Sequence, residues 1–271
     1  MGRATALELA RGGDQVFALG RTESDLRELA AEAAHVARDG SAVIPLSMDI
    51  ADAASRQAAV ASIMEATSGR GVDLLVNNAG YGQMGPLEEI TADQLRRQFE
   101  VNVVGLLAFT QPFLPGMRAR RRGTIINISS TAGRVAAPFA GAYAASKFAV
   151  EAMSDALRLE LSPFGLHVIL IEPGPIRTGF KDAALAVAAR DPASPYASLL
   201  RGFEQGRKGW YVFELPPERV AETIVRAAGA GRPRARYTVT LPARVTSLAR
   251  RLMPDWLTDW TLRRAMGRGG R

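Results

Sequence analysis

The strongest constraint on this chain is its alternation of helical patterns with short, almost continuous apolar runs. Such runs occur at Gln15–Leu19, Ala42–Met48, Val72–Val76, Gly123–Ile128 and His167–Ile171, with a shorter one at Tyr237–Thr240. Strands buried on both faces read this way, and antiparallel sheets with one wet face do not. Between them lie helical patterns at Met1–Arg11, Thr22–Arg38 (Thr22 as cap), Ala53–Thr67, Thr91–Arg120 and Phe139–Phe164, and from Leu215 to Ala228. Strand and helix in strict alternation predict a parallel sheet with helices on both faces. The expected fold is therefore α/β: a Rossmann-like doubly wound parallel sheet in three α/β/α layers, forming a single domain.

The polar residues cluster where those strands stop, and ligands bind beyond the carboxyl ends of such strands. Val76 is followed by Asn77-Asn78-Ala79-Gly80, Ile128 by Ser129-Ser130, and Ile171 by Glu172-Pro173-Gly174-Pro175-Ile176-Arg177-Thr178. Asn102 stands inside a long helical pattern, a poor site for asparagine unless its amide is bonded. Tyr143 and Lys147 lie four apart, so a helix puts them on one face. An ammonium beside a phenol favours the phenolate, which would make Tyr143 a general acid/base near neutral pH. Alone, the pair could be a helix with an incidental surface lysine. However, Lys147 is one of only three lysines among 34 basic residues, and arginine could not titrate usefully in its place.

Together these elements resemble the short-chain dehydrogenase/reductase family. Asn77-Asn78-Ala79-Gly80, the helical Asn102, Ser130 with Tyr143-Ala144-Ala145-Ser146-Lys147, and the Pro173–Thr178 turn match in order from Gly2 to about Thr178. The resemblance implies a catalytic tetrad of Asn102, Ser130, Tyr143 and Lys147. Tyr143 would handle the hydroxyl proton and Ser130 would orient the substrate oxygen. Lys147 would lower the Tyr143 pKa and bind the nicotinamide ribose, and Asn102 would hold a relaying water. Asp49 and Ile50 would flank the adenine, Asn77, Ala79 and Gly80 would line the cofactor, and Pro173, Gly174, Ile176 and Thr178 would hold its carboxamide. The implied activity is a hydride transfer between a nicotinamide cofactor and an alcohol or carbonyl carbon. A homodimer or homotetramer pairing through the two long helices is expected by the same analogy.

The family opens with a strand and a TGxxxGxG turn, whereas this sequence opens Met1-Gly2-Arg3-Ala4. Gly2 matches the last glycine of that run. The expectation is a start placed too late, with the strand and glycine turn lying upstream of Met1. The alternative is a non-catalytic binding or scaffold protein on the same fold, without a competent pyrophosphate site. The second strand ends Ala18-Leu19-Gly20-Arg21, with no acid to hold a ribose 2′-OH. Arg21 could instead meet a 2′-phosphate, with Arg3 as a second partner by resemblance. NADP(H) is therefore expected over NAD(H), although Arg21 also reads as a solvated loop charge.

Residues 179–216 form an insertion carrying Phe180, Tyr196, Phe203, Trp210, Tyr211 and Phe213. The resemblance makes it a lid, and its rings suit an apolar small-molecule substrate unless they serve only to pack the lid down. The domain is expected over 1–243, followed by a basic amphipathic helical tail over 244–271. Residues 232–271 hold ten arginines against two aspartates, net +8, while the whole chain is +7. The pI of about 10.3 thus belongs to this end. It reads either as a docked helical pair with solvated arginines or as a peripheral contact with an anionic membrane. No nucleic-acid motif accompanies the charge. The chain has no cysteine and only His35 and His167, so no metal site is expected. Glu8, Arg11 and Asp14 interrupt any signal-peptide core, and a cytoplasmic location is expected.

Overall fold

The computed structural model describes residues 1–38, 40–186, 188, 191–208 and 212–265. Six strands and twelve α-helices lie among the described residues. The strands are β1 (Gln15–Gly20), β2 (Ala42–Ser47), β3 (Leu74–Asn77), β4 (Thr124–Ile128), β5 (His167–Glu172) and β6 (Arg236–Thr238). All pairings are parallel. The helices around them are α1 (Gly2–Gly12), α2 (Glu23–Ala34), α3 (Ala53–Ala66), α4 (Ala92–Phe99), α5 (Gly105–Thr110), α6 (Leu114–Arg120) and α7 (Gly141–Leu161). Then come α8 (Phe180–Ala186), α9 (Ala197–Lys208), α10 (Glu218–Ala228), α11 (Leu241–Leu252) and α12 (Asp255–Ala265).

The pattern predicts these elements closely, and the departures have local causes. Thr22 stands at the α2 cap position, but its hydroxyl makes no cap bond. Asp52 and Thr91 do cap, accepting from Ser55 N and Gln94 N. The expected helix from Thr91 to Arg120 is interrupted by a π-turn over Glu100–Val104 and a 3₁₀ turn at Gln111–Phe113. Such π-turns frequently mark functional positions, and this one contains Asn102. The last boundary also shifts. α11 begins at Leu241 and Ala243 is wholly buried, so the expected division after residue 243 falls inside a docked helix.

Two apolar layers flank the sheet. Phe113, Met117, Ile125, Ile63 and Val168 pack on the α3–α6 side, and Ile126, Ile128, Ile171, Val220 and Ile224 on the α10 side. Each such large side chain, fully buried, contributes roughly 1.5–3 kcal/mol. The sheet itself is divided. β1 pairs only with β2, while the second sheet runs β3-β4-β5-β6. The facing edges of β1 and β3 border a cleft of about 890 Å³, lined by Val16, Phe17 and Ala18 on one side and Leu74, Leu75 and Val76 on the other. No strand among the described residues lies between them. Among the described residues the facing edges of β1 and β3 are unpaired, and α1 packs on both α2 and α10.

Candidate active site

The carboxyl ends of β3, β4 and β5 meet one face of α7, and the candidate residues gather there. The Asn102 side chain is buried and fully engaged. Its Oδ1 accepts from Tyr81 N at 3.1 Å, and its Nδ2 donates to Tyr81 O at 3.0 Å and Ser146 Oγ at 3.0 Å. Ser146 Oγ in turn donates to Tyr143 O at 2.7 Å. Asn102 therefore ties the loop after β3 to the helix carrying Tyr143 and Lys147. Ser146 was missed in the sequence, where a serine inside Tyr-Ala-Ala-Ser-Lys carries no signal of its own.

Ser130 caps a 3₁₀ turn, Thr131–Gly133, by accepting from Ala132 N at 3.1 Å, and its hydroxyl lies on the side of the Tyr143 phenol, whose pKa it lowers. Lys147 Nζ donates to Ile128 O at 2.7 Å and lies 5.9 Å from the Tyr143 ring centroid. A side chain at Gly80 would stand 3.1 Å from Asn102 Oδ1 and 3.8 Å from Lys147 Nζ. A larger residue at 80 would therefore crowd Asn102 by a few tenths of an ångström where the loop after β3 closes over the cluster.

Electrostatics differ from the sequence expectation at one point. Burial pushes the Tyr143 phenol up to about 12, against the pull of the Ser130 hydroxyl. Burial brings the Lys147 amine down to about 8, opposed by Glu151 one turn further along α7. Lys147 was expected to draw the phenol toward neutrality. Here its ammonium is directed at the Ile128 carbonyl, and desolvation of both groups dominates. At pH 7 the tyrosine is a protonated donor.

A second cluster behind the first was also missed. Arg134 donates to Glu172 Oε1 through Nε at 2.9 Å and Nη2 at 2.7 Å, and approaches Glu151 at 3.1 Å. Arg236 Nε donates to Glu151 Oε2 at 3.0 Å, and Ser247 Oγ donates to Glu172 Oε2 at 3.2 Å. These bonds fasten the Ser130 turn, α7, the end of β5, β6 and α11 to one another. The residues lie up to 113 positions apart, and no local spacing links them.

The candidate cofactor residues line the same rim. Asn78 Oδ1 is buried without a partner, a donor-seeking atom beside the cluster. A Cβ on Gly2 would stand 2.8 Å from Asn78 Nδ2, and one on Gly174 only 2.0 Å from Thr240 Oγ1. Asn77 turns inward, donating to Thr110 Oγ1 at 2.9 Å and Asn127 Oδ1 at 2.8 Å, so it braces β3 to α5 and β4. Asp49 Oδ1 accepts from Ala51 N at 2.9 Å, and Arg56 Nη1 donates to the carbonyl of the buried Ile50 at 2.6 Å. Ala79 and Arg21 border the cleft between the two sheets. Arg21 is exposed there. Arg3 borders it too, but its guanidinium is paired with Glu28 and Glu32 of α2, so a phosphate would have to compete with two carboxylates. Ile176 bridges to Leu215, and Thr178 Oγ1 accepts from Phe180 N at 3.4 Å.

Above the cluster, the Phe180 ring tilts against Tyr143 at 5.4 Å, and Phe139 meets Phe203 edge-on at 5.6 Å. Tyr196 and Ser194 donate to Glu88 and Glu89, holding the insertion down. Phe213 is half exposed. Trp210 and Tyr211 lie outside the described residues.

The parallel α/β fold, with a buried Tyr/Lys pair at its strand ends, defines an NAD(P)-dependent oxidoreductase acting on CH–OH or C=O groups. The chain belongs to the short-chain dehydrogenase family, whose model matches residues 1–186. It is 36% identical over 218 residues to the NADPH-dependent 3-dehydrocapnine reductase of Ornithobacterium rhinotracheale, covering 79% of this chain and 77% of that one. Human 17-beta-hydroxysteroid dehydrogenase type 1 is 34% identical over 247 residues, 89% of this chain and 74% of the relative. A short-chain dehydrogenase structure from Streptomyces avermitilis superposes with a TM-score of 0.80 at 31% identity, covering 98% and 94% of the two chains. Solved neighbours hold NADP in one case and NAD in another.

Proposed function

We propose that the chain is an NADP(H)-dependent reductase of apolar ketones or aldehydes, with Tyr143 as the proton donor. The observation that carries this reading is the buried Tyr143 phenol, with the half-buried Ser130 and the buried Lys147 beside it. A phenol titrating near 12 holds its proton at neutral pH and can deliver it to a developing alkoxide. Ser130, next to that phenol, would orient the carbonyl oxygen. Lys147 adds positive charge next to the forming oxyanion while it remains protonated, below about pH 8. The cofactor would supply the hydride. Asn78, Gly80, Tyr143, Lys147 and the Pro173–Thr178 turn would hold its nicotinamide end. Asp49 and Ile50 would hold its adenine, and Arg21 its 2′-phosphate. Phe180, Phe139 and Phe203 give the substrate side an apolar wall, consistent with relatives named for a hydroxysteroid and for NADPH-dependent reduction. Pairing of two copies through the α4–α6 segment and α7 follows the family analogy.

Turnover should be measured with NADPH and with NADH on a series of aryl and long-chain ketones. NADPH should be favoured, and Arg21→Asp should erase the preference. Tyr143→Phe should lower kcat by about 10²–10⁴-fold and leave NADPH affinity within about twofold. Retained turnover in Tyr143→Phe would remove the assignment.

One observation favours the second reading, a non-catalytic protein of the same fold. Among the described residues no strand fills the cleft between β1 and β3, beside the start of α1, where a pyrophosphate would be cradled. NADPH fluorescence enhancement separates the two readings. Binding by this chain, or by one extended ahead of Met1 with an apolar strand and TGxxxG, supports the enzyme. Silence from both supports the scaffold.

A further inference from the structure

The last two helices expose an apolar stripe that the chemistry of the site does not use. On α11, Leu241, Val245, Leu248 and Leu252 follow a four-three-four spacing and so share one face. On α12, Trp256 and Trp260 stand one turn apart and are exposed as well. These six side chains are between 53% and 76% exposed. Soluble surfaces carry single apolar residues commonly, but contiguous stripes of this size mark an interaction face. The opposite side of α11 is docked. Ala243 and Thr240 are buried, Thr240 packs on Gly174, and Ser247 bonds Glu172. The stripe therefore faces outward by construction.

Its borders are cationic. Arg244 on α11 and Arg263 and Arg264 on α12 lie beside these side chains and are exposed, with Arg264 over the Trp260 ring at 5.0 Å, while Arg250 on the other side of α11 pairs with Asp255 at 2.9 Å. Across residues 232–271 the net charge is +8, while the rest of the chain is close to neutral. A second copy of this face would bring that charge against itself. An anionic bilayer matches both features: leucine and tryptophan enter the interface, and arginines meet the headgroups. Among the described residues no helix is long and apolar enough to cross a membrane. The contact is therefore along the surface.

From this we infer that α11 and α12 dock the protein on anionic lipid surfaces, presenting the active-site mouth to molecules dissolved in the bilayer. The placement is specific. α11 begins on the Pro173–Gly174 turn, and α12 packs on α9 of the insertion covering Tyr143. Docking through this stripe brings the lid to the membrane plane, where an apolar substrate can pass without crossing water.

The test is co-sedimentation of the full chain with vesicles of phosphatidylcholine alone and of phosphatidylcholine with phosphatidylglycerol. It reads binding, so it stands whether or not the catalytic reading holds. The full chain should bind the anionic vesicles at least about tenfold more tightly, and salt should weaken that binding. A Leu248→Ser, Leu252→Ser, Trp256→Ser, Trp260→Ser variant should lose binding to both. Since all four side chains are exposed, its thermal melt should match the wild type, which separates lost docking from lost folding. An Arg244→Gln, Arg263→Gln, Arg264→Gln variant should lose the anionic preference. The proposal falls if the full chain ignores anionic vesicles or binds both kinds equally. It falls equally if sedimentation equilibrium shows the stripe occupied by a second copy, with dimers that the serine variant abolishes.

Discussion

Replacing Lys147 by methionine should make the folded protein less sensitive to pH, and the size of the change follows from its burial. The amine titrates near 8 in the fold instead of 10.5, chiefly because it is desolvated. Ten-to-one in a protonation equilibrium is about 1.4 kcal/mol, so keeping this side chain charged at neutral pH costs the native state about 3 kcal/mol. The sign is that of a base with a depressed folded pKa. The penalty is fully present below about pH 8, where both states carry the proton. It is relieved as pH rises toward 10.5, because there the unfolded chain binds more protons. Methionine has no such term. It also leaves the Ile128 carbonyl, now 2.7 Å from Nζ, without its donor, but that loss does not vary with pH. Urea unfolding of both proteins from pH 7 to pH 10.5 isolates the titration. The stability of the wild type relative to the variant should rise by about 3 kcal/mol across that window. Tyr143, whose folded pKa is raised, affects both proteins alike and cancels. A flat difference would mean that Lys147 is solvated in the fold, and the desolvated description of the site would be wrong.

Two further substitutions examine the frame. Gly105→Ala places a Cβ 2.3 Å from the Ile50 carbonyl; backbone on both sides must move, and chemical denaturation should show a loss of several kcal/mol, on the order of other overpacked cores. Ser146→Ala removes the hydroxyl joining Asn102 to Tyr143 O. It should cost about 1–2 kcal/mol of stability and lower kcat without raising KM for the cofactor, whereas an equal loss from Ala144→Gly would point to the helix alone.

Much of this protein was legible residue by residue. Apolar runs broken by glycine, asparagine and proline fixed six strands and their order, because a strand buried on both faces tolerates few other residues. Tyr143 and Lys147 were readable because helical spacing is local. Gly80 and Gly174 were visible as turn residues, though the side chains they approach were not. Asn77 was misjudged in emphasis, as its amide serves Thr110 and Asn127 inside the core. Helix breaks around Asn102 were hidden, since a π-turn depends on where its side chain is bonded and not on propensity.

The sequence by itself determined the parallel α/β class, the placing of Tyr143 and Lys147 on one helix face and the uneven charge, since periodicity, spacing and composition are properties of neighbours along the chain. Tertiary structure alone decided the rest. It buried Tyr143 and Lys147 enough to raise the phenol's pKa and lower the amine's, the reverse of what charge pairing by itself does. It joined Arg134, Glu151, Glu172, Arg236 and Ser247 into one anchor, separated β1 from β3 by a cleft, and turned the α11 stripe outward. Each of these follows from which distant surfaces are desolvated together.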